Sequence, residues 1–146
     1  MVTVRHRVPK QQVDLLSNVS LFAGCSQAEL RMIASLGTPL TAEPGTVLTQ
    51  KGKPGREFFM VLSGRALCHV GRKEVARFST GGYFGELALL HGGYRTATVT
   101  AETEMELLVL DAREFRSMLM TTPSIGIKML DRLAERLAEA DERLSN

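Results

Sequence analysis

Phe84-Gly85-Glu86-Leu87-Ala88-Leu89-Leu90-His91-Gly92-Gly93-Tyr94-Arg95-Thr96-Ala97-Thr98-Val99 reads as an anion-binding segment. Gly85 supplies backbone freedom directly before residues 86–90, which are mostly good helix formers. A helix starting there gathers unpaired N–H groups and the positive end of its dipole at one spot, which favours a bound phosphate. Gly92-Gly93 predicts a turn into a Thr/Val strand whose first clear residue is Arg95. Along it Arg95, Ala97, Val99 and Ala101 share one side, and Thr96, Thr98, Thr100 and Glu102 the other. Arg95 thus lies on the small apolar side, the one expected to face inward. An inward guanidinium is costly unless it meets an anion: Glu86, another carboxylate, or a ligand.

The rest of the composition narrows the class. The chain has 146 residues, one domain's worth, with 44% hydrophobic and 23% charged residues, ordinary values for a globular protein. A net charge of +2 is too small to argue for nucleic acid, and the basic group Arg5, His6, Arg7 and Lys10 reads as a solvated tail. Two cysteines, Cys25 and Cys68, make no disulfide framework, and His6, His69 and His91 offer no metal pair at helical spacing. No apolar run approaches the ~20 residues of a membrane span, and the N-terminus lacks the apolar stretch of a signal peptide. A cytoplasmic setting is expected.

Around the opening segment the chain divides in three. Residues 1–12 are expected to form a flexible tail and 13–146 the domain. A short helical turn over 10–18 is followed by a helix over Gln27–Leu36, opened by the capping box Ser26/Glu29 and ended by Gly37. Between about 38 and 111, short Val/Leu/Phe/Thr stretches alternate with turn signals such as Pro44-Gly45, Lys53-Pro54-Gly55, Ser63-Gly64 and Gly81-Gly82, the pattern of a small antiparallel barrel or sandwich. From about 112 to 145 the period is helical again. Asp111/Glu114 predicts a second capping box, and Thr122-Pro123 the N-cap and first residue of a long last helix. On that helix Leu130, Leu133, Leu137, Ala140 and Leu144 follow a heptad-like rhythm. Packing within the chain, and hence a monomer, is favoured over pairing with a second copy through this helix. Met105, Met118, Met120 and Met129 are expected to fill the core around the helices.

Residues 84–99 resemble the phosphate-binding cassette of the cyclic nucleotide-binding domain family, whose pattern is roughly F-G-E-[LIM]-A-L, a short loop, then R-[AST]-A-[ST]-V. Members include regulatory subunits of cAMP-dependent protein kinase, cyclic-nucleotide-gated channels and the bacterial catabolite activator. The match has no gap. Ser20-Leu21-Phe22, residues 45–48 and residues 58–64 extend it to nearly the whole chain after about residue 12. The resemblance implies an α+β, mainly β fold: an eight-stranded antiparallel jelly-roll barrel with N-terminal helices and two C-terminal helices.

It also implies a ligand and roles. Arg95 suits a cyclic phosphate through its planar fork, and Glu86 suits a ribose 2′-hydroxyl as acceptor. Backbone N–H groups near Gly85, Leu87 and Ala88, with those of Thr96 and Ala97, complete the cradle behind Phe84. The ligand is cAMP or cGMP, with the lean toward cAMP. Thr96 marks a place where base choice is made in relatives. Tyr94 departs from the proline common before the arginine, which is expected to loosen the loop. Arg132 and Arg136, one turn apart, are candidates to cover the base, their plain alternative being solvated partners of Asp131, Glu135 and Glu139.

The implied function is a non-catalytic sensor that passes ligand binding to an unidentified effector domain or protein through the helices over 112–144. The alternative is an interaction domain of the same fold that binds no ligand. Neither reading needs a cofactor, nucleic acid or membrane contact by this chain. Arg95→Ala is expected to remove micromolar binding, at a cost on the order of 2–5 kcal/mol, and to leave the melting of the free protein almost unchanged.

Overall fold

The computed structural model describes the backbone of residues 2–4 and 9–145, and the side chains of residues 13–144. Helix α1 (Pro9–Leu16), a 3-10 turn (Ser20–Phe22) and α2 (Gln27–Leu36) precede most of the strands. The strands are β1 (Val2–Val4), β2 (Thr38–Ala42), β3 (Val47–Thr49), β4 (Glu57–Ser63), β5 (Arg65–Val70), β6 (Lys73–Ser79), β7 (Tyr83–Phe84), β8 (Thr98–Ala101) and β9 (Met105–Asp111). Between β7 and β8 lies α3 (Glu86–His91), and α4 (Ala112–Thr121) and α5 (Pro123–Ser145) end the chain.

Strands β2 to β9 form two antiparallel sheets of jelly-roll type, one ordered β1-β2-β9-β4-β7 and the other β3-β8-β5-β6. Strand β1 adds to the edge of the first sheet, with Thr3 opposite Thr41. Val-Thr-Val is a β-prone triplet, and β2 offers it an open edge. Arg5, His6 and Arg7 lie outside the described residues.

Two cores share the strands β4 and β9. In β4, Phe58, Met60 and Leu62 point to the helices while Phe59 and Val61 point between the sheets. In β9, Leu108 and Leu110 take the helical side, and Met105, Leu107 and Val109 the inner one. Burial on both faces is why these two strands read as unbroken apolar runs rather than as alternation. Both predicted capping boxes form: Ser26 N–H donates to Glu29 at 2.8 Å and Asp111 N–H to Glu114 at 2.8 Å, each answered by the reciprocal bond.

Helix α5 departs from expectation. Its first turns are anchored, with Ile125 and Met129 in the helical core and Lys128 Nζ donating to the Ala23 carbonyl. Leu133 packs against the same core, but the other heptad leucines do not go inside: Leu130, Leu137 and Leu144 are exposed, as is Met120 on α4. A 3.6-residue period marks an amphipathic helix without saying which stripe meets the body of the protein. Thr122 precedes α5 as expected, but its Oγ1 is buried with no hydrogen-bond partner among the described residues, so its side chain does not cap the helix.

Candidate functional site

Residues 84–88 and 95–97 line one wall of a cavity of about 360 Å³ between the cassette, β5, β6 and α5. Gly85 turns the chain into α3 with φ of 97°. A side chain there is excluded by space as well as by conformation, because a Cβ would come within 2.8 Å of the Glu57 carbonyl oxygen and 3.0 Å of Arg95 Nη1. Phe84 anchors the turn from below, its ring stacked on Phe59 at 4.9 Å between centroids and tilted against Phe78 at 5.0 Å.

Glu86 and Arg95 are both on the cavity wall and both buried, at 5% and 8% exposure. Ala88 is buried beside them, Ala97 is half-buried, and Leu87 and Thr96 are exposed on the rim. The guanidinium of Arg95 is held by main chain: Nη1 donates to Gly85 O at 3.0 Å and Nη2 to Glu57 O at 2.7 Å. Two of its five N–H groups are thereby used, and the remaining donors are open to an anion. Burial pushes the guanidinium below its ordinary pKa, with Glu57 and Glu86 acting the other way.

The segment carrying Arg95 is not strand, as the alternation predicted. The ladder of β8 begins at Thr98, and residues 95–97 bend away from it. They are pinned instead by the loop before β4: Gly52 N–H donates to Arg95 O at 2.9 Å, Arg95 N–H to Lys53 O at 2.8 Å and Gly55 N–H to Gly93 O at 3.2 Å. Thr49 adds a side-chain clasp, donating to Ala97 O and accepting from Val99 N–H, both at 3.2 Å. These bonds hold the segment in place of a proline at Tyr94, whose ring is exposed and whose backbone bridges to Pro54.

Burial raises the pKa of Glu86 above the ordinary carboxylate value, against the pull of its own backbone N–H, of Arg136 and of Arg95. The ion pair of Glu86 is with Arg136 of α5, Nη1 to Oε1 at 3.5 Å. Of the two arginines expected to cover a base, only Arg136 lines the cavity. Arg132 is turned to Glu135 at 3.4 Å and lines only the adjoining groove under α5, of about 810 Å³, which shares Glu86 and Arg136 with the cavity.

Sequence reasoning missed the other wall. Cys68, Val70, Val75 and Ala76, from the β5–β6 hairpin, line the cavity along with Thr49. Cys68 is a core residue of the space between the sheets, and burial raises its thiol pKa. Nothing local marks these residues, which look like ordinary alternating strand.

The profile of a family described as the cyclic nucleotide-binding domain matches residues 39–122. The chain is 30% identical over 121 residues to the cAMP-dependent protein kinase type II regulatory subunit of Drosophila melanogaster, covering 83% of this chain and 32% of that protein. It is 34% identical over 113 residues to a cyclic nucleotide-gated potassium channel of Rhizobium etli, covering 77% and 32% respectively. It therefore spans about a third of the length of these curated relatives. Among solved structures, cAMP-bound PfPKA-R superimposes with a TM-score of 0.81 at 27% identity, over 94% of this chain and 47% of that one.

Proposed function

Because the chain belongs to the cyclic nucleotide-binding domain family, we propose that its cavity binds a 3′,5′-cyclic nucleotide, cAMP in preference to cGMP, and relays binding through α4 and α5. One observation carries the reading: a buried carboxylate and a buried guanidinium share one small cavity, and the guanidinium is oriented by two carbonyls with donors to spare. An arginine built only as a counter-ion for Glu86 would point at that carboxylate. Instead it is braced to meet an anion, and Glu86, whose ion pair is with the half-exposed Arg136, faces the same cavity as an acceptor for a sugar hydroxyl. A volume of about 360 Å³ falls at the small end of ligand sites, which run to roughly 300–1,000 Å³.

The preference for cAMP rests on the second wall. Val70, Val75 and Ala76 offer a base no hydrogen-bonding side chain, and guanine, which adds a carbonyl and a ring N–H to the one amino group that each purine carries, would leave more polar groups unpaired there. Relay through α5 rests on its halves being held differently, the first by core packing and the second at Arg136. A ligand shifts such an element only by its preference for one state over the other.

The alternative, an interaction domain without ligand, is favoured by the exposed stripe Ile127, Leu130, Leu137 and Leu144 on α5. Calorimetry against cAMP and cGMP side by side separates the readings. Heat with both and tighter binding of cAMP is the expected result. No heat and no thermal shift with either overturns the sensor reading in favour of the interaction domain.

A further inference from the structure

The cation paired with the buried Glu86 is on α5 and not in the cassette. Arg136 forms part of both the wall of the nucleotide cavity and the wall of the larger groove under α5. Its side chain is 49% exposed, so it has room to leave, whereas Glu86 does not. Arg95 is engaged by the carbonyls of Gly85 and Glu57, and so keeps its place whether or not Arg136 stays.

We infer that Arg136 competes with the ligand's ribose for Glu86, so that a residue of the helix above the cavity sets how strongly a 2′-hydroxyl is selected. The inference rests on the nucleotide reading above. A buried carboxylate must be paired or neutral. In the free protein Arg136 pairs with it. A ribose hydroxyl entering the same carboxylate displaces the guanidinium, and the hydroxyl bond is offset by the lost ion pair. A nucleotide lacking that hydroxyl leaves the pair in place. The protein's preference for ribose over 2′-deoxyribose is therefore smaller than the hydroxyl bond alone would make it. Displacement also loosens the distal half of α5, which the Arg136–Glu86 pair ties to the cassette.

The test is the affinity of the full chain for cAMP and for 2′-deoxy-cAMP, in the wild type and in Arg136→Gln, by calorimetry. In the variant nothing competes for Glu86, and the ratio of the two dissociation constants is expected to rise by roughly 1.5- to 5-fold, the range of a partly exposed ion pair. An arginine that merely stacked on the base, or stiffened the helix, would change both affinities alike and leave the ratio alone. An unchanged or smaller ratio overturns the competition. A second readout needs no nucleotide: amide exchange over residues 134–144 of the free protein is expected to quicken in Arg136→Gln and in Glu86→Gln, and no further in the double variant. Exchange unaltered by either substitution overturns the tie. If the wild type binds neither nucleotide, the nucleotide reading itself fails and takes the competition for a sugar with it. Normal binding with an unmoved ratio removes the competition alone.

Discussion

Gly55 and Ala88 approach so closely that a Cβ on Gly55 would come within 2.2 Å of the Ala88 methyl and 3.1 Å of Arg95 Cδ and Nε. The glycine belongs to the loop before β4 and the alanine to α3, so the contact is where the loop, the cassette helix and the phosphate-site arginine meet. Gly55→Ala is predicted to push α3 and Arg95 apart. An overpacked site costs about 1–3 kcal/mol, and the displaced guanidinium should weaken nucleotide binding at least tenfold. Full affinity in this variant, measured by calorimetry, would show that the cassette tolerates the shift.

Arg95 has a structural duty that its place in the sequence does not reveal. Removing it leaves the carbonyls of Gly85 and Glu57 without their donors. A hydrogen bond from a charged donor contributes about 1.5–3 kcal/mol. The free Arg95→Ala protein is therefore predicted to melt several degrees lower, not nearly unchanged, and to lose nucleotide binding as well. A thermal scan without ligand decides between these, and an unmoved midpoint would refute the bracing role.

Glu86 should respond to pH in opposite senses for folding and for binding. Its pKa in the folded protein is raised above the ordinary 4.5, chiefly by burial. Its contribution to stability is then fully present below the unfolded value and is lost as pH rises through the folded one. Glu86→Gln is predicted to melt at or above the wild-type temperature at pH 7, because the buried charge is gone. The carboxylate is what accepts the sugar hydroxyl, so nucleotide affinity should fall on acidification at a pH above 4.5, and Glu86→Gln should bind more weakly than the wild type wherever the carboxylate is ionised. Affinity that is flat with pH from 7 down to 4.5 would remove Glu86 from the binding step.

Cys68 offers a label for occupancy. It is 7% exposed on the cavity wall, and burial raises its thiol above the ordinary 9.0, so alkylation at neutral pH should be slow. Nucleotide is predicted to slow it at least severalfold further, while Cys25 on the helical side reacts at the same rate with or without ligand. Mass spectrometry of iodoacetamide-treated protein reads both sites in one experiment. Equal slowing of the two thiols would indicate general tightening rather than a ligand over Cys68.

What could be read without a structure was what adjacent residues impose on one another. Gly85 before a helix-forming run, Ser26 with Glu29, and Asp111 with Glu114 are all set by backbone geometry and spacing over a few residues, whereas Arg95 is buried by a bent segment and not by the strand alternation that predicted it. The positions of Glu86 and Arg95 in one cavity were readable for the same reason, since a single turn and a short helix join them. Their partners were not. Arg95 meets the carbonyl of Glu57, 38 positions away, because β4 pairs with β7 and delivers that carbonyl beneath the cassette. Gly55 lies against Ala88, Cys68 faces the ligand space, and Arg136 rather than Arg132 reaches Glu86, each through contacts between elements far apart in the chain. The leucines of α5 show the same limit, since amphipathic period is a property of one helix and burial a property of two surfaces. Local chemistry thus placed the two charges, and long-range packing assigned each the group it holds.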